Sequence, residues 1–199
     1  MATLVRVLRL LVGLALYGLS IALLLRSELG LDPWDVFHQG VALRTGAPIG
    51  AVVIVASLAV LLLWIPLRQR PGIGTVANAL LVGVFVEVAL AVLPTQSHPG
   101  WQILLLVTGI LLNAVATGLY LSAGLGPGAR DGLMTGLAAR GVPIRRARTA
   151  VEVVVLGVGW LLGGTVGVGT VLYALSIGPL AHIFIPLFAP APRIGDVRP

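Results

Sequence analysis

The chain has 199 residues, of which 58% are hydrophobic and only 10% charged, and its mean hydropathy is +1.05. Soluble domains are about 25% charged, so this chain lacks the polar side chains to cover a globule in water and takes lipid as its main solvent. It has no cysteine, which excludes disulfides and thiolate metal sites, and its net charge of +6 comes from thirteen basic residues, all arginine. These arginines stand in short segments between apolar runs. That is a pattern of membrane topology, not of a nucleic-acid-binding face.

In chain order, six runs approach the roughly 20 apolar residues that a span requires: Leu4–Leu25, Pro48–Leu67, Ile73–Leu93, Trp101–Ala123, Pro143–Leu162 and Val166–Phe188. The first is too long for the apolar region of a signal peptide, and no small-x-small cleavage site ends it. Arg6 and Arg9 lie in its first turns, where they can snorkel. With the N-terminus in the cytoplasm, eleven arginines, Arg130 among them, fall inside. Only Arg26 and Arg44 fall outside. This bias predicts six spans with both termini cytoplasmic, and an odd span count would spoil it.

The chain also repeats itself. At an offset of 95, Gly167, Gly169, Thr170, Val171, Ala174, Leu175 and Gly178 match Gly72, Gly74, Thr75, Val76, Ala79, Leu80 and Gly83. At an offset of 96, Leu125, Gly126 and Asp131 match Leu29, Gly30 and Asp35. The pattern predicts one membrane domain made of two related halves, 1–94 and 95–188, followed by a cytoplasmic tail over 189–199. Each half holds three spans, an odd number, so the halves enter the bilayer from opposite sides as inverted repeats. Many secondary transporters share this plan, with the working site where the halves meet.

Each first span is followed by a polar interruption, "LGLDPWDVFHQG" from Leu29 and "LGPGARDGLMTG" from Leu125. Asp32 as N-cap, Pro33 at the first helical position and Asp35 at the third predict a helix start resembling a capping box. The helix runs to about Leu43 and stops at Gly46. That is roughly half a bilayer core, so it is re-entrant or interfacial. In the second copy Gly128 replaces the capping aspartate and Asp131 keeps the third position. Asp35 and Asp131 are read either as caps or as substrate or proton groups, and Trp34 either as an interfacial anchor or as a cavity wall. His38 shares a helix face with Asp35 and is read as a partly solvated histidine or a proton carrier.

Ionisable groups within spans usually face a cavity or a partner. Glu87 in the third span and His182 in the sixth are repeat equivalents and candidate proton groups, unless both stay neutral and hydrogen-bonded to backbone. Asn78 and Glu87 stand nine residues apart, half a turn out of phase, so they cannot both face one cavity. Glu152 follows Thr149 by three residues, which suggests a capping box, an interface or a site.

These phrases, together with "VEVVVLGVGWLLGGTVGVGT" and "YALSIGPLAH", resemble the YczE/YyaS/YitT family of small bacterial membrane proteins, in its YczE-like branch, from about Gly18 to His182. The resemblance implies a multi-pass protein of the bacterial plasma membrane and carries over no catalytic residues. Motifs for metalloprotease, serine-hydrolase and phosphate-loop chemistry are absent, so the chain is expected not to be an enzyme and to need no cofactor or metal. The expected fold is therefore all-α and polytopic, with six spans in two inverted repeats and a short helix after the first span of each. The expected function is a small secondary transporter or permease for an unidentified solute, with proton coupling as one route. The alternatives are a substrate-binding membrane subunit of a larger transporter and a non-transporting scaffold. The expected partners are the lipid bilayer and a small solute, not nucleic acid; a homo-oligomer stays open.

Overall fold

The computed structural model describes residues 3–189. Arg193, Arg198 and the tail from residue 190 onward lie outside the described residues. Among the described residues eight helices follow one another: α1 (Thr3–Ser27), α2 (Pro33–Thr45), α3 (Ile49–Leu67), α4 (Ile73–Val92), α5 (Pro99–Ser122), α6 (Ala129–Ala138), α7 (Ile144–Leu161) and α8 (Val168–Phe188). Five of them, α1, α3, α4, α5 and α8, are long and apolar enough to cross a bilayer. The fifth candidate span forms α7, but Arg145, Arg146, Arg148 and Glu152 crowd its first turns and set it apart from those five. Its helix starts at Ile144, so Thr149 lies inside it and Glu152 closes no capping box, contrary to the sequence reading.

Central to the bundle are α1 and α5, which pack antiparallel along their lengths. α4 lies against α1 and α8 against α5. Leu14, Ile21 and Leu24 of α1 are wholly buried. Outward faces remain apolar, with Val55, Leu62, Val88, Leu104 and Leu175 exposed. An apolar exterior around a core that includes buried Ser20, Asn113 and Asp35 fits lipid as the solvent.

Arginines close helix ends. Arg6 donates to the carbonyls of Ala123 and Gly124 after α5, and Arg9 to Phe188 at the end of α8. Arg140 donates to Pro66 at the end of α3. At the opposite end, Arg26 donates to Leu90 of α4 and Arg44 to Leu162 after α7. The last carbonyls of a helix lack intrahelical partners and carry its negative pole, so a cation there is favourable. Arg44, one of the two outside arginines of the sequence reading, therefore has a structural partner.

The two short helices pack crosswise in sequence: α2 against α7 and α3, α6 against α3 and α7. Phe37, Val41 and Thr45 of α2 line a groove with Val52, Val55 and Ala59 in the first part of α3. Trp34, at the start of α2, clusters with Val60 of α3 and with Ala129 and Leu133 at the start of α6. Farther along α3, Trp64 donates through Nε1 to the Ala129 carbonyl at 3.0 Å and presses its ring on Gly132. The short helices thus start side by side near the middle of α3 and run toward opposite ends of it.

Two further contacts match each other. Gly74 N–H donates to the Leu125 carbonyl at 2.8 Å, and Gly169 N–H donates to the Leu29 carbonyl at 2.7 Å. Each pins the start of a long helix to the loop that precedes a short one. The loops need Gly30 (φ +120) and Gly126 (φ +122), a backbone region that favours glycine.

Candidate functional site

α2 begins as its sequence predicts, with one difference. Asp32 accepts from the Asp35 N–H at 2.7 Å, and Pro33 follows at the first position. Asp35 does not reach back to close the box. Its Oδ1 meets His38 Nδ1 at 3.0 Å, and its Oδ2, fully buried, has no hydrogen-bond partner among the described residues. His38 is itself buried, not partly solvated. α6 has no side-chain cap at Gly128, and Asp131 turns away to accept a hydrogen bond from the Tyr120 hydroxyl.

Arg130 stands between the two helix starts. Its guanidinium lies 3.8 Å from Asp32 Oδ2 and 3.7 Å from Asp35 Oδ1, inside ion-pair range but beyond hydrogen-bonding distance. Its central carbon sits 4.9 Å from the ring centroid of Trp34, a cation–π arrangement. Among the described residues Arg130 donates no hydrogen bond. The guanidinium is half-buried and opens onto space.

That space is a cavity of about 170 Å³ bordered by Tyr17, Asn78, Tyr120, Arg130, Asp131 and Tyr173. A neighbouring cavity of about 370 Å³ shares Tyr17, Arg130, Asp131 and Tyr173, and adds Asp32, Trp34, Met134 and Glu152. A polar chain stiffens the wall: Tyr173 donates to Asn113 at 3.0 Å, Asn113 to Ser20 at 3.0 Å, and Ser20 to the Tyr17 carbonyl at 2.7 Å. Tyr17 and Tyr120 meet edge to face with centroids 6.1 Å apart. Arg148, which borders both cavities, pairs with Glu152 of the second at 2.8 Å.

The sequence-derived residues divide into two groups. Trp34, Asp131 and Glu152 border the cavities, and Asp35 and His38 stand directly behind Asp32 and Arg130. Trp34 is a cavity wall. Glu87 and His182 border neither cavity. Glu87 accepts from the Gly50 N–H at 2.6 Å, satisfying the start of α3, and His182 is on the exposed face of α8. The half-turn between Asn78 and Glu87 decides this: Asn78 faces the cavity and Glu87 the α3 interface. Sequence reasoning missed Arg130, assigning it to an inside loop, and missed Tyr17 and Tyr120. A signal for Arg130 existed, since the offset of 96 sets it on Trp34, the residue its guanidinium covers.

Comparison with known proteins gives the lineage. Residues 4–186 match the model of a family described as "Family of unknown function (DUF6198)". The chain belongs to this family. It is 39% identical over 186 residues to an "Uncharacterized protein" of Haemophilus influenzae, covering 93% of this chain and 85% of that one. It is 32% identical over 177 residues to the "Uncharacterized membrane protein YczE" of Bacillus subtilis, covering 87% and 82%. The "Uncharacterized protein YyaS" of the same organism is 25% identical over 183 residues, covering 88% and 90%. The resemblance drawn from the motifs, to a YczE-like family, is thereby upheld, and the chain is a membrane protein. No solved structure matches it.

Proposed function

We propose that the protein is a small secondary transporter of the bacterial plasma membrane, not an enzyme, and that its solute passes through the cavity at Arg130. In this reading α7 also crosses the bilayer, as the fifth of six spans, both termini are cytoplasmic, and residues 1–94 and 95–188 are inverted repeats. The matching Gly74–Leu125 and Gly169–Leu29 hydrogen bonds support the repeat, as do the reciprocal seats of α2 and α6 on α7 and α3. The observation that carries the function is a charged cavity within an apolar protein where two short helices begin. Interrupted helices meeting at a polar cavity are what transporters use to hold a solute away from lipid.

Proton coupling, in this reading, belongs to Asp32 and Asp35 and not to Glu87 and His182. Two buried carboxylates share one arginine, with His38 against Asp35, so a proton gained or lost there changes the charge of the wall. Reconstitution into proteoliposomes with solute-evoked currents on a supported membrane tests the reading. Wild-type protein gives solute-dependent currents, steeper under an imposed proton gradient, and Arg130→Gln abolishes them. Absence of current from well-folded wild type across a broad solute panel, with an ATPase co-purifying, gives the subunit alternative instead.

A further inference from the structure

We propose, building on that reading, that the cavity takes a small zwitterion, its carboxylate on Arg130 and its ammonium on Asp131. The guanidinium is a planar fork of five donors suited to a carboxylate. It donates no hydrogen bond among the described residues, and its own carboxylate neighbours stop at 3.7 and 3.8 Å. Trp34 covers one face of it, which leaves the donor edge for a ligand. The next residue, Asp131, borders both cavities and is exposed. One of its oxygens accepts from Tyr120, and the other accepts nothing among the described residues.

Charge selects between kinds of anion. Taken together, the two cavities are lined by Arg130 and Arg148 against Asp32, Asp131 and Glu152, with Asp35 behind Arg130. The wall is formally net negative. Sulfate or phosphate adds two charges to it, and a simple carboxylate adds one while leaving Asp131 unmatched. A zwitterion adds none and answers both poles. Tyr17, Tyr120 and Tyr173 contribute aromatic rings to the lining, and the face of such a ring attracts an ammonium. The first cavity holds about 170 Å³, and a cavity of about 150 Å³ admits benzene, so the part of the solute seated there has roughly six to ten heavy atoms; any longer tail extends into the neighbouring cavity of about 370 Å³.

The test is ligand binding to the purified full chain in nanodiscs, by calorimetry and thermal shift. Probes are a panel of α-, β- and γ-amino acids and small betaines, with propionate, propylamine and sulfate as single-pole controls. At least one zwitterion binds at millimolar concentration or below, and each single-pole control binds at least about tenfold more weakly, as expected when one charge-assisted contact worth about 1.5–3 kcal/mol is lost. Asp131→Asn brings the zwitterion and its matching carboxylate to similar affinity. Arg130→Lys keeps the positive charge in the core but weakens zwitterion binding about tenfold or more, because an ammonium cannot offer the fork. Sulfate or propionate binding as well as the zwitterions overturns the proposal, as does a panel in which no zwitterion binds folded wild type. Binding without transport leaves this inference standing and removes the transporter reading; transport of a non-zwitterion does the reverse.

Discussion

Replacing Asp32 by asparagine and by alanine separates two jobs that the residue performs. Its carboxylate accepts the Asp35 N–H at 2.7 Å and so caps α2, and it also stands 3.8 Å from Arg130. Asparagine keeps an acceptor for the cap and removes the charge. Alanine removes both. The site is 3% exposed, so no water replaces a lost acceptor easily. A cap is worth about 0.5–2 kcal/mol, and a buried donor left unsatisfied costs about 1–3 kcal/mol. Loss of charge is the smaller effect here, because Asp35 still faces Arg130 at 3.7 Å and the two carboxylates repel each other. Asp32→Asn is therefore expected within about 1 kcal/mol of wild type, and Asp32→Ala a further 1–2 kcal/mol below it, roughly a five- to thirty-fold change in the unfolding constant. Detergent titration of the protein in bicelles measures this, with tryptophan fluorescence as the readout, since Trp34 is two residues away. Equal losses in the two variants would refute the capping argument and assign the cost to the ion pair.

Three other outcomes are expected. Gly132→Ala places a methyl group in the ring of Trp64 and costs about 1–3 kcal/mol by overpacking, read in the same titration. Glu87→Gln keeps an acceptor for the Gly50 N–H and leaves stability nearly unchanged, whereas Glu87→Leu strands that donor and costs about 1–3 kcal/mol; equal stability of the two variants contradicts the assigned role. On this cysteine-free chain, Thr45→Cys is labelled by an impermeant thiol reagent in intact cells and Val142→Cys only after permeabilisation. The reverse pattern removes the proposed orientation.

Much of this protein is legible in the chain itself, because the signals are local or compositional. Apolar runs mark the long helices, since a backbone in lipid must satisfy its own hydrogen bonds. Asp32, Pro33 and Gly46 fix both ends of α2 within a few residues, because caps act on neighbouring backbone. The paired glycines and threonines at 72–75 and 167–170 mark where two helix starts meet two loops. Direction around a helix axis and pairing between distant segments are different in kind. Whether Glu87 faces a cavity or the α3 backbone depends on which helix lies beside it, and the tertiary fold gave it Gly50. The same holds for Arg130. Counted with the inside arginines it resembled a topological charge, and only the approach of two helix starts, nearly a hundred residues apart in the chain, set it over Trp34 and beside two buried aspartates.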